Sequence, residues 1–119
     1  MRSQLMTVTR HAMFGLAGAC VLSMGVAARA GAEESNVAAS TFAQKCSGCH
    51  AADGSGATVI GKSANIPDLR SPQVQNLADA DVGGIIAHGK GTMPPFGTSL
   101  SDGEIHGLVL YVRGLAKQQ

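Results

Sequence analysis

The stretch Cys46-Ser47-Gly48-Cys49-His50 decides how the rest of the chain is read. On a helical turn, side chains three positions apart lie on one face, so the two thiols point the same way and a histidine follows directly behind them. A C-x-x-C pair can also be a structural disulfide, a thioredoxin-like redox pair or half of a zinc site. In an oxidising compartment the two thiols could join. A redox pair expects a preceding strand in a βαβ unit, and a four-ligand zinc site needs a second cysteine or histidine pair; the sequence supplies neither.

The added histidine makes the pentapeptide the signature of covalent haem attachment. Cys46 and Cys49 would bond the two vinyl groups of one haem c, and His50 would swing beneath the iron as its ligand. One short segment then fixes both the ring and a ligand.

Working outward toward the N-terminus, residues 1–30 carry Arg2 and Arg10, an apolar run from Ala12 to Ala28, and Ala28-Arg29-Ala30, a small-x-small cleavage pattern. They read as a secretory signal peptide, with residues 31–119 as a cytochrome c domain exported to the periplasm. Ser23 and Gly25 interrupt the apolar run, which is short for a membrane span, so retention as an anchor is the weaker alternative and no span is expected after cleavage. Cys20 falls inside the leader, with Ala17 where a lipoprotein signal would want a branched aliphatic residue.

The hydrophobic content of 45% and mean hydropathy of +0.13 are therefore weighted by the leader. Without Arg2, Arg10 and Arg29, six basic residues face eight acidic ones over the remaining 89 residues. That mild acidity offers no basic patch for a phosphate backbone, which excludes nucleic acid as a partner. A chain of 119 residues has room for one domain.

The elements that follow are helical. Val37, Ala38, Thr41, Phe42 and Lys45 fit a helix running into the cysteines, with Ser35 or Asn36 as its cap. Residues 53–66, glycine-rich and without period, read as a loop wrapping something. Ser71-Pro72 opens a short helix. Asp79 or Asp81 opens another, with Gly89 in stopping position and Gly83-Gly84 weakening it. Gly89 to Gly97, with Pro94-Pro95, is an ordered loop. Ser101-Asp102-Gly103-Glu104 is a capping box, followed by Ile105, Leu108, Val109, Val112 and Leu115 at helical spacing. No strand pattern or repeat appears. The fold class is all-α, and with Phe42, Phe96 and Tyr111 as its aromatics outside the leader, so small a chain needs help to build a core.

These residues resemble a small bacterial class I c-type cytochrome over about residues 36–116. The likeness rests on Cys46 to His50, on Gly89-Lys90-Gly91-Thr92-Met93-Pro94-Pro95-Phe96, and on the closing helix through Leu108 and Tyr111. It implies three to five short helices around a single haem, with Met93, the methionine before proline, as the distal iron ligand. A soft thioether suits haem iron; the alternative is a core-filling methionine. His88 and His106 could ligate in principle, but His88 ends a helix and His106 falls between core positions. The resemblance also gives Pro67-Asp68-Leu69 a role, the Pro67 carbonyl accepting from His50 Nδ1; a plain turn is an equal reading. Phe42 should cross the last helix near Leu108 or Tyr111.

With both axial positions filled the iron cannot easily bind substrate, and His/Met ligation raises its potential. The expected function is a one-electron carrier cycling Fe(II)/Fe(III) between redox proteins such as a dehydrogenase, reductase or terminal oxidase, as a monomer or as a subunit of a complex, and not an enzyme. The alternatives are a dedicated subunit of a periplasmic dehydrogenase or oxidase, and a haem enzyme or sensor with a labile Met93.

Overall fold

The computed structural model describes residues 20–118 of the protein. Six α-helices run in order: α1 Cys20–Lys45, α2 Ser47–His50, α3 Val59–Ser63, α4 Pro72–Gln75, α5 Asp79–His88 and α6 Asp102–Leu115, closed by a 3₁₀ turn, Ala116–Gln118. Among the described residues there is no strand, only an isolated antiparallel bridge between Lys90 and Met93. The all-α class stands, but with six helices rather than three to five short ones.

Two differences from the sequence reading stand out. The first helix does not begin at Ser35 or Asn36: among the described residues it already runs from Cys20, past both of them, to Lys45. Ser35 lies within it, its hydroxyl donating to the Gly31 carbonyl four residues back at 2.9 Å instead of capping a free end. The expected domain boundary at residue 31 thus lies inside α1, and most of the proposed leader, residues 1–19, is outside the described residues. Second, the loop over 53–66 holds the one-turn helix α3. Its cap is Thr58, whose hydroxyl accepts from the Gly61 amide at 2.8 Å.

The other elements follow the sequence closely. Pro72 opens α4, although the Ser71 hydroxyl donates to the Asp68 carbonyl at 2.7 Å rather than capping. Asp79 opens α5, which stops at Gly89. At α6 both halves of the capping box form, the Ser101 hydroxyl accepting from the Glu104 amide and the Glu104 carboxylate from the Ser101 amide.

The core is where α6 crosses α1 and α5. Phe42 and Tyr111 meet with ring centroids 4.9 Å apart at 40°, the crossing expected from the sequence. Phe42, Ile86, Leu108 and Leu115 belong to one buried cluster. Each such side chain contributes about 1.5–3 kcal/mol by leaving water. The cluster is one-sided: its apolar surface continues into a cavity.

Candidate functional site

The cavity has a volume of about 570 Å³, in the range of small-molecule and cofactor sites. Its apolar wall is built from Phe42 of α1, Val82 and Ile86 of α5, Leu100, and Leu108 of α6. Into it open four of the residues singled out in the sequence: Cys46, His50, Pro67 and Met93. Cys49 is half-buried on the same turn as Cys46 but does not line the cavity. His88 is exposed at the end of α5 and does not line it either.

The turn that carries Cys46, Cys49 and His50 is set by backbone bonds. The Cys46 carbonyl accepts from the amides of Cys49 and His50 at 3.1 and 2.9 Å. α2 is only four residues long and would not persist alone. The glycine loop holds it: the Thr58 hydroxyl donates to the Cys49 carbonyl at 3.0 Å, and the Gly56 amide to the His50 carbonyl at 2.8 Å. Gly61 packs so close that a Cβ there would sit 2.6 Å from the Cys49 oxygen. The loop that looked like a wrapper is thus a clamp on the pentapeptide. Directly after His50, Ala51 adopts φ 63°, ψ 161°, a region that only glycine occupies without strain.

Neither cysteine is in a disulfide, and among the described residues no group of three or more His, Cys, Asp or Glu could hold a metal ion. Burial pushes the Cys46 thiol up, which favours its protonated form. Burial pushes His50 down, which favours the neutral imidazole that binds metal. His50 Nδ1 is itself buried with no hydrogen-bond partner. The Cys46 thiol, a neutral imidazole and a thioether around an apolar hollow, with the Cys49 thiol on the same turn as Cys46, make a donor set that fits a covalently held haem.

One expectation is corrected. The bond from His50 Nδ1 to the Pro67 carbonyl is not formed. Pro67 lines the cavity, but its carbonyl lies over Gly56, where a Cβ would be 3.8 Å away, and the preceding Ile66 carbonyl is closer still at 2.9 Å. Only the absence of a side chain at Gly56 leaves room there for the Ile66 carbonyl.

Met93 is held from both sides of its loop. Its amide and carbonyl pair with Lys90 at 3.0 and 3.1 Å. The Phe96 and Gly97 amides donate to Ile86 and Ala87 of α5, at 3.0 and 2.9 Å. Met93 also packs against the buried cluster, so ligand and core-filling roles meet in one side chain.

Residues 34–112 match the family model described as cytochrome c oxidase, cbb3-type, subunit III. The chain belongs to this family of c-type cytochromes. A solved structure, the KustC0563 c-type cytochrome, is similar at 28% identity and TM-score 0.60, over 65% of this chain and 94% of that one. No curated protein sequence matches. As a small class I c-type cytochrome, the protein works by haem-based electron transfer, and its fold is the all-α cytochrome c fold.

What sequence reading missed is the far wall and the supports. Gln73, Val74 and Leu77, on and just after α4, line the cavity, and Ile85 joins Ile86. A sequence signal exists for α5, whose apolar residues crowd one stretch. At α4 the signal is Val74 and Leu77, three positions apart on one face, and that face meets the cavity because of what holds the helix from behind.

Proposed function

We propose that the protein carries a single haem c through thioether bonds to Cys46 and Cys49, with His50 and Met93 as axial ligands. The observation that carries this is the shared cavity into which Cys46, His50 and Met93 all open. Haem, when bound, supplies an iron that passes one electron at a time between Fe(II) and Fe(III). The chain's own contribution is to fix: the clamp loop holds the pentapeptide, the Gly89–Gly97 loop holds the thioether, and the apolar wall keeps water out and so sets the potential. Little needs to move during transfer.

In this reading the protein is exported, acts in the periplasm and exchanges electrons with a dehydrogenase, reductase or terminal oxidase. It is a carrier, not an enzyme. The alternative, permanent residence in an oxidase complex, is favoured by the family's description as an oxidase subunit. Among the described residues no helix is long and apolar enough to cross a membrane.

Two measurements test the site. The denatured, exported protein should keep its haem stain; loss on boiling would remove the covalent attachment. Met93→His should keep the stain while abolishing the weak sulfur-to-iron absorption band and lowering the potential, since histidine ligation forgoes the effect of methionine. A variant with unchanged band and potential would end the ligand assignment. Gel filtration of native extract separates the free carrier from the subunit.

A further inference from the structure

The segment from Leu69 to Asp79 forms one side of the cavity through Leu69, Gln73, Val74 and Leu77. It has little of its own to keep it there. α4 is a single turn and buries only Val74, while Leu77 remains 38% exposed. The last carbonyls of so short a helix have no partners within it, and one turn cannot sustain itself.

Two side chains supply what is missing. Arg113, in the last turn of α6, spreads its guanidinium over the end of α4: Nη1 donates to the Val74 and Gln75 carbonyls at 3.2 and 3.1 Å, and Nη2 to the Leu77 carbonyl at 2.6 Å. Its Nε donates to the Asp79 carboxylate, the first residue of α5, at 2.9 Å. Gln75 returns the contact, its Nε2 donating to the Leu69 carbonyl at 2.6 Å and to the Val112 carbonyl at 3.1 Å. Five backbone carbonyls and one carboxylate are thereby gathered by two residues that do not touch the cavity.

We infer that Arg113, together with Gln75, is a positioning residue for the electron-transfer site, clasping the 69–79 wall onto α6 and so holding that wall against the cavity. The fork shape of the guanidinium is what makes this possible: five N–H groups in a fixed plane reach three carbonyls and a carboxylate at once, which an ammonium on a flexible stem does not. The Asp79 pair is the lesser part, since that carboxylate side chain is 62% exposed and screened. The carbonyl bonds are charge-assisted and largely shielded, the Arg113 side chain being 21% exposed. A wall that opens admits water beside the iron, which favours Fe(III) and lowers the reduction potential.

The inference rests on the haem-carrying reading of this cavity, and the test separates the two. Arg113→Gln and Gln75→Ala are made in the full holoprotein, with Arg113→Lys as the conservative variant. Three readouts are taken: haem stain after denaturation, amide hydrogen exchange by segment, and reduction potential. The expected result is an unchanged stain, exchange of the 69–79 amides faster by about tenfold or more, in line with losing several charge-assisted bonds, little change in α1 and α5, and a lower potential. Arg113→Lys should recover part of the protection. Asp79→Asn should have a smaller effect than Arg113→Gln. Unchanged exchange over 69–79 would overturn the inference, as would a uniform rise throughout the protein with the potential unmoved, which is the mark of a merely structural arginine. Should Arg113→Gln fail to fold, Gln75→Ala carries the same readouts. If the wild-type protein lacks a covalent haem, the reading of the cavity fails while the exchange comparison still decides the clasp.

Discussion

Replacing Gly89 by alanine puts the Met93 loop under a defined strain. Gly89 ends α5 with φ 76°, ψ 167°, a combination that costs any other residue about 1–3 kcal/mol. That is the smaller part. A Cβ there would lie 2.5 Å from the Met93 carbonyl oxygen, 3.0 Å from the Pro95 nitrogen and 3.1 Å from the Pro94 carbonyl carbon. All three are backbone atoms, so no side chain can swing aside, and relief requires moving the loop that carries Met93. We expect a loss of about 3 kcal/mol or more, a large share of the 5–15 kcal/mol that typically separates folded from unfolded states. The control lies five residues earlier on the same helix. Gly84 is in the interior of α5 with nothing within 4 Å of a built Cβ, so Gly84→Ala should stabilise by about 0.5–1 kcal/mol through helix propensity alone. Urea unfolding of both holoproteins, followed at the sulfur-to-iron band as well as by circular dichroism, reads the two effects. If Gly89→Ala keeps both its midpoint and its band, the steric account of the loop is wrong.

Other expectations are as direct. Leu108 is 2% exposed where the core meets the cavity, so Leu108→Ala should cost about 2–5 kcal/mol in urea unfolding. Ala51 sits in a glycine-only backbone region, and Ala51→Gly should raise stability: the strain released, about 1–3 kcal/mol, exceeds the 0.5–1 kcal/mol entropic cost of glycine; a lower midpoint would count against the strain. The Arg70 side chain, bonded to Asp68 at 2.8 and 2.9 Å, holds that carboxyl below the usual carboxylate range. A depressed folded-state pKa contributes stability that is fully present above the unfolded value and disappears as pH falls through the folded one. Asp68→Asn should therefore flatten part of the acid limb of the stability curve below about pH 4 and leave its shape above that unchanged; an unaltered acid limb would dismiss the coupling.

Several features were fixed by local chemistry and could be read without a structure. The Ser101–Glu104 capping box needs only four neighbouring residues, and it starts α6 where the sequence says. The spacing of Cys46, Cys49 and His50 needs one helical turn. Gly89 and the prolines after it forbid helix, whatever surrounds them. The Phe42–Tyr111 contact is long-range, yet resemblance to the class I cytochromes was enough to anticipate it. Reading failed where the deciding partner was distant in sequence. Ser35 looks like a cap, but a hydroxyl can also bond back to the carbonyl four residues earlier, and the continuing chain makes that choice. The Pro67 carbonyl takes no bond from His50 Nδ1, and the backbone just before it passes over Gly56, where a Cβ would meet the Ile66 carbonyl at 2.9 Å. Arg113 looks like one scattered cation among several, and only the folding of α4 against α6 gathers three carbonyls under it. A sequence carries the propensity of each residue and the spacing to its near neighbours; which backbone groups are left without partners, and which side chain reaches them, exists only once the helices have packed.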